Sequence, residues 1–246
     1  MRGLRKTDME AFLDLFADNE IFNPPTLLHY WGGLVTTVQL VFLSLLIGLI
    51  IALPLGILRT SKNPWINKPI WVYVYTFRGT PLLVQLYLIY YGTAQITGIQ
   101  DTIFWAVLSE AFYPCLIAFI LNTAAYTTEI IRGAVEATPK GEIEAAKAYG
   151  MSAWLRMRRI ILPSAIRRGL PAYANEVIFM LHASAIASVV TIVDLTGAAR
   201  DIYARYYAPF DAFLFVAAIY LCLTFTLIFL FRKLENRLMA HTRPIA

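Results

Sequence analysis

Between Trp31 and Leu58 the chain runs without a single Asp, Glu, Lys or Arg. A helix rises 1.5 Å per residue, so about 20 predominantly apolar residues cross the roughly 30 Å hydrocarbon core of a bilayer. Three more runs reach that length: Ile70 to Tyr91, Pro114 to Ile131 and Phe210 to Phe231. A fifth, from Gly169 to about Val193, is interrupted by Asn175, Glu176 and His182. A charged side chain there costs roughly 2.5–3.5 kcal/mol at the centre of a lipid-facing helix, so this span should face protein or a water-filled path. Composition agrees: 59% of the 246 residues are apolar and only 15% charged, where a soluble domain carries about 25% charged. The expectation is an all-α polytopic membrane protein with about five transmembrane helices.

Basic residues set the orientation. Arg59, Lys62 and Lys68 lie between spans one and two. Eight more lie between Arg132 and Arg168, and Arg232, Lys233, Arg237 and Arg243 follow the last span. The alternate loops hold none from Gly92 to Tyr113, then Arg200 and Arg205. The positive-inside rule puts the rich side in the cytoplasm. The C-terminus is then cytoplasmic and the N-terminus, after an odd number of spans, periplasmic. Arg2, Arg5 and Lys6 fall on the outer side, too far from span one for the rule to act strongly. Met9, Phe12, Leu13 and Phe16 form one helical stripe, which suggests a short amphipathic helix at the outer interface; a loosely ordered tail is the other reading.

The net charge of +5 follows this cytoplasmic bias, and no nucleic-acid partner is expected. Cys115 and Cys222 sit inside apolar spans without metal-ligand spacing and read as small buried hydrophobes. The organisation expected is an arm over residues 1–30, a transmembrane domain over 31–237 containing a cytoplasmic loop at 132–168, and a tail over 238–246.

That loop is the most informative soluble stretch. Thr138 before Pro139 reads as a capping hydroxyl followed by proline at the first helical position. Glu142 and Glu144 suit the positive end of the helix, and Gly150 suits a left-handed stop. Ser152 can cap a second helix carrying Trp154, Leu155 and Met157, with Pro163 marking its end. Ile143, Ala146 and Tyr149 line one face, and Ala145, Ala146 and Ala148 are small enough for another surface to approach. On these residues alone, a helix pair lying on the inner leaflet is the plain reading.

The spacing Glu144-Ala145-Ala146, three residues, Gly150, nine residues, then Ile160-x-Leu162-Pro163 resembles the EAA–G–I-LP signature of ABC importer permeases. The stretches Phe77-Arg78-Gly79-Thr80-Pro81, Leu121 to Tyr126 and Asn175 to Ile178 look like the polar amino acid subfamily. More narrowly, LNTAAYTTEI, GEIEAAKAYG and PAYANEVIFMLH are similar to the M-type permease subunits of histidine and lysine/arginine/ornithine importers. The resemblance, from about Trp31 to Arg237, implies a type I importer permease in a bacterial inner membrane, with no cofactor of its own. ATP and Mg would be bound by a partner ATPase dimer. A second related permease or second copy of this chain, a periplasmic binding protein and an amino acid substrate, basic in kind or an opine, complete the set. It also implies that Glu144, Ala145, Ala146, Gly150, Leu162 and Pro163 couple to the ATPase. Near His182 this chain lacks a lysine that relatives carry, and loss of a fixed positive charge suits a cationic substrate.

Depth points independently to a site. Arg78 lies roughly 12 Å into span two, Glu176 about 10 Å beyond Gly169 and Asn122 about 14 Å before Ile131, all from the same face. Pro81 cannot bond the carbonyl of Phe77, and Gly79 weakens the helix beside it. Broken helices near the midplane recur at transporter substrate sites. Arg78, Asn122, Tyr126, Glu176 and His182 are therefore the candidate substrate residues; a structural Arg78–Glu176 ion pair is the other reading, and His182 serves equally as a satisfied histidine. No Walker sequence occurs in the chain. The rivals are a membrane-embedded enzyme using Glu129, Glu176 and His182, and a passive channel.

Overall fold

The computed structural model describes residues 21–238, and every regular element among them is helical. The N-terminal stripe and the tail beyond 238 lie outside the described residues. The first helix, α1 (Pro24–Leu58), begins ahead of Trp31 because the sequence supplies a start signal there. The Asn23 side chain accepts the backbone N–H of Thr26 at 3.0 Å, and Pro24 takes the first position, where its missing N–H costs nothing. The same device, Asn63 before Pro64, opens α2 (Pro64–Gly79).

The second expected span is broken where Gly79 and Pro81 stand. α2 ends at Gly79, Thr80 and Pro81 are extended, and α3 (Leu82–Ala94) resumes beyond them. A short connection containing α4 (Trp105–Leu108) leads into α5 (Phe112–Glu136). The loop holds α6 (Lys140–Ala148) and α7 (Ala153–Arg156). α8 (Leu162–Ala183), α9 (Leu195–Tyr206) and α10 (Pro209–Leu238) complete the chain. Among the described residues, four helical stretches are long and apolar enough to cross a membrane: Pro24–Leu58, Phe112–Glu136, Ala153–Val190 and Pro209–Leu238. The expected span from Ile70 to Tyr91 is not among them: it is divided into α2 and the shorter apolar helix α3.

α5 is the hub of the bundle, touching α1, α2, α3 and α8. Its contact with α1 is the most extensive, and the sequence of α1 explains why. Ser44, Gly48, Ala52 and Gly56 recur every four residues and are all buried. Small residues at that spacing let helix backbones approach closely inside a membrane. A Cβ on Gly48 would stand 2.6 Å from Thr123 Cγ2, so a larger residue would force Thr123 to shift. α10 buries Ala212 and Val216, packs Phe215, Ile219, Tyr220, Leu223 and Leu227 against the core, and leaves Phe210, Leu214, Phe225 and Phe229 exposed, as a peripheral membrane helix would. Cys115 is buried as expected, but Cys222 lies on exposed α10.

Two expectations for the loop need correction. Pro163 does not end a helix: the chain passes from α7 through a π-helical turn, Met157–Ile161, straight into α8. Proline removes one intrahelical bond and crowds the carbonyl four residues back, and the widened turn at that point accommodates both. Thr138 does not cap α6, whose start has no side-chain cap. Its buried hydroxyl instead accepts Arg168 Nη2 at 2.8 Å, with Ala134 O at 3.4 Å from the same nitrogen, so Arg168 ties the end of α5 to α8.

Candidate functional site

The broken span creates the site. Pro81 removes the N–H that would have bonded the Phe77 carbonyl, and in a membrane interior such an orphan costs several kcal/mol. Gln85, one turn into α3 and buried, folds back over the gap. Its Nε2 donates to Phe77 O at 2.7 Å, Thr80 O at 2.9 Å and Thr80 Oγ1 at 2.7 Å. Its Oε1 accepts Asn122 Nδ2 from α5 at 3.0 Å. Tyr73 adds a second tie, donating its hydroxyl to Leu121 O at 2.7 Å.

Beside this junction opens a cavity of about 830 Å³ between α2, α3, α5 and α8. Arg78, Asn122, Tyr126 and Glu176, four of the five candidate substrate residues, line it together with the Gly79-Thr80-Pro81 break and Asn175. The exposed guanidinium of Arg78 stands 5.1 Å from the centroid of the Tyr126 ring, a cation–π arrangement. Glu176 is buried at 7% exposure, and its Oε1 accepts the Thr123 hydroxyl at 2.9 Å. Among the described ion pairs none joins Arg78 to Glu176. The cavity thus offers one guanidinium and one carboxylate that do not neutralise each other by contact, together with the neutral amides of Asn122 and Asn175.

His182 does not join them. It lies exposed on α8 and meets Thr224 Oγ1 of α10 at 3.0 Å. Glu129 is likewise elsewhere: it pairs with Arg59 at 3.3 Å and with Arg132 at 2.8 Å. The three groups an intramembrane enzyme would need are therefore dispersed. Gln85, Tyr73 and Thr123 escaped the sequence reading. Only Gln85 left a signal, a lone amide in an apolar run four residues after a helix-breaking proline.

The candidates in the 132–168 loop form a second, separate group. Gly150 takes φ +73°, and its N–H bonds Lys147 O at 2.9 Å while Met151 N–H bonds Ala146 O at 3.1 Å. That pair of bonds is the Schellman stop, which favours glycine at this position. Ser152 then accepts the Leu155 N–H at 3.3 Å, opening the next helix. Ala146 is buried, and Ile143 packs on Ala134, Val135, Ile161 and Ala165. Tyr149, expected on the same face, is 86% exposed, because the helix stops at Ala148 and Tyr149 turns outward. Glu144, Ala145, Ala148 and Pro163 are exposed and Leu162 half-buried.

A helical bundle with one broken crossing, a polar cavity beside the break and an exposed turn between two crossings defines a transporter's membrane subunit. The family described as "Binding-protein-dependent transport system inner membrane component" matches residues 31–240, and the chain belongs to it. It is a permease subunit of an ABC importer, a multi-pass inner-membrane protein with the type I importer fold. The chain is 48% identical over 217 residues to the histidine/lysine/arginine/ornithine transport system permease protein HisM of Escherichia coli (strain K12), covering 88% of this chain and 91% of that one. To the nopaline transport system permease protein NocM of Agrobacterium fabrum it is 45% identical over 209 residues, 85% and 87% of the two chains. A solved structure described as an amino acid ABC transporter with histidines superposes with a TM-score of 0.76 at 37% identity, covering 85% of this chain and 94% of that one.

Proposed function

We propose that the chain carries basic amino acids (arginine, lysine, ornithine, histidine, or an opine) inward through the cavity beside the α2–α3 break. The observation that carries this reading is a guanidinium and a carboxylate lining one cavity without an ion pair between them. An amino acid presents both an anion and a cation, and each loses hydration on entering. Arg78 holds the α-carboxylate by a two-pronged hydrogen bond. Glu176 balances the α-ammonium or the side-chain cation, while Asn122 and Tyr126 shape the space between. His182 stands outside this set. Relatives with the printed substrates histidine, lysine, arginine, ornithine and nopaline favour the same class.

The turn around Gly150 is the docking element for a separate ATPase dimer, with Glu144, Ala145 and Pro163 on its accessible side. A second, related permease or a second copy of this chain completes the pathway, and a periplasmic binding protein delivers the substrate. The basic side, including the 132–168 loop and the C-terminus, is cytoplasmic and the N-terminus periplasmic.

Uptake by the assembled complex across an amino acid panel tests the substrate class: arginine, lysine, ornithine or histidine should be carried, and glutamate and leucine should neither be carried nor compete. Preferential uptake of an acidic or apolar amino acid would refute it. For coupling, Gly150→Val forces a β-branched residue into positive φ and misaligns the turn. The expected outcome is loss of substrate-stimulated ATP hydrolysis at normal complex assembly; stimulated hydrolysis at wild-type rates would remove Gly150 from coupling.

A further inference from the structure

We infer that Gln85 is a positioning residue for transport, a clamp that sets Arg78 and Asn122 at their places in the cavity; this rests on the cavity being the substrate site. Three acceptors converge on one side-chain amide. Phe77 O is left over by Pro81, Thr80 O faces the extended gap, and Thr80 Oγ1 is already donating to Thr76 O at 2.8 Å. No backbone N–H serves these acceptors across the break. The same amide turns its oxygen to Asn122 Nδ2, so one side chain joins the end of α2, the start of α3 and the middle of α5. Arg78 is next in sequence to Phe77, whose carbonyl the clamp holds, and Asn122 is the clamp's own partner. Both cavity residues are therefore set by a group that does not line the cavity.

The chemistry of the clamp is specific. It needs a donor on one arm and an acceptor on the other, at the reach of glutamine. Methionine keeps the length and offers neither. Asparagine keeps the amide and falls one methylene short. A clamp that only stabilised the fold would, on removal, lower the amount of assembled complex and leave the binding of substrate to the remainder unchanged. A positioning clamp shifts KM in the complex that does assemble.

The test is uptake kinetics in proteoliposomes containing the whole importer, with whichever of arginine, lysine, ornithine and histidine the wild type carries fastest. Rates are normalised to assembled complex. Gln85→Met is expected to raise KM about tenfold, with the maximal rate per complex changed less than about twofold. Should the methionine variant fail to assemble, Gln85→Asn decides, with a KM rise of several-fold expected. Wild-type KM in the variant that assembles overturns the inference, and so does failure of both to assemble, which makes the residue structural. Arg78→Lys is measured in parallel to separate the two readings. A raised KM in Arg78→Lys with wild-type KM in the Gln85 variants defeats the clamp alone. Wild-type KM in Arg78→Lys defeats the cavity as the site, and the clamp's role with it.

Discussion

Two polar groups lie close together along α5 and are finished in opposite ways. Toward the loop, Glu129 receives Arg59 at 3.3 Å and Arg132 at 2.8 Å, and Arg132 reaches Glu136 at 2.5 Å. Arg59 also bonds Asn67, whose Nδ2 holds the carbonyls of Arg59 and Ser61 at 3.0 Å. Here every charge has an opposite one in contact, and the cluster fastens the α1–α2 turn to the end of α5. Two turns back along the same helix, Asn122 and Tyr126 face a cavity where Arg78 and Glu176 have no such contact, Glu176 meeting instead the buried hydroxyl of Thr123. Burying an ion without a partner costs several kcal/mol. Under the function proposed above, a chain that pairs the charges of one cluster and leaves those of the next without contact reserves the second for charges that arrive from outside.

The contrast can be broken at the completed cluster. Glu129→Ala leaves Arg59, whose side chain is 12% exposed, without its counter-ion. A loss of about 3–5 kcal/mol is expected, seen as poor yield and a lowered unfolding temperature of the membrane complex. Glu136, half exposed at the outer end of the same cluster, supplies the control: Glu136→Gln should shift stability by no more than about 0.5 kcal/mol. Equal effects at the two positions would mean that burial does not separate them.

Much of this was legible in the sequence for identifiable reasons. Length and apolarity alone mark the crossings, because a bilayer demands both. Gly79 and Pro81 announce the break, because backbone chemistry forbids a continuous helix there. Depth arithmetic brought Arg78, Asn122 and Glu176 to one level, and they share a cavity. Tyr126 follows Asn122 by four residues and so shares its face. His182 follows Glu176 by six, a rotation of about 240°, and the structure accordingly turns it to Thr224. Periodicity held that answer, while depth alone did not. Gln85 left a local signal, its place four residues after Pro81, but its tie to Asn122 depends on three-dimensional proximity that no local pattern carries. Pro163 misled because a π-helical turn, which no local propensity signals, lets a helix carry a proline onward.

The reserved charge is the centre of the account, and Glu176→Gln addresses it most directly because the variant keeps shape and the Thr123 hydrogen bond and removes only the charge. The measurement is uptake of arginine, lysine, ornithine and histidine by the assembled importer, with complex assembly quantified in the same preparation. Apparent affinity for the transported basic amino acid should fall at least about tenfold while assembly stays at the wild-type level. Wild-type uptake rate and affinity in that variant would contradict the account, making Glu176 a structural residue and placing the substrate elsewhere.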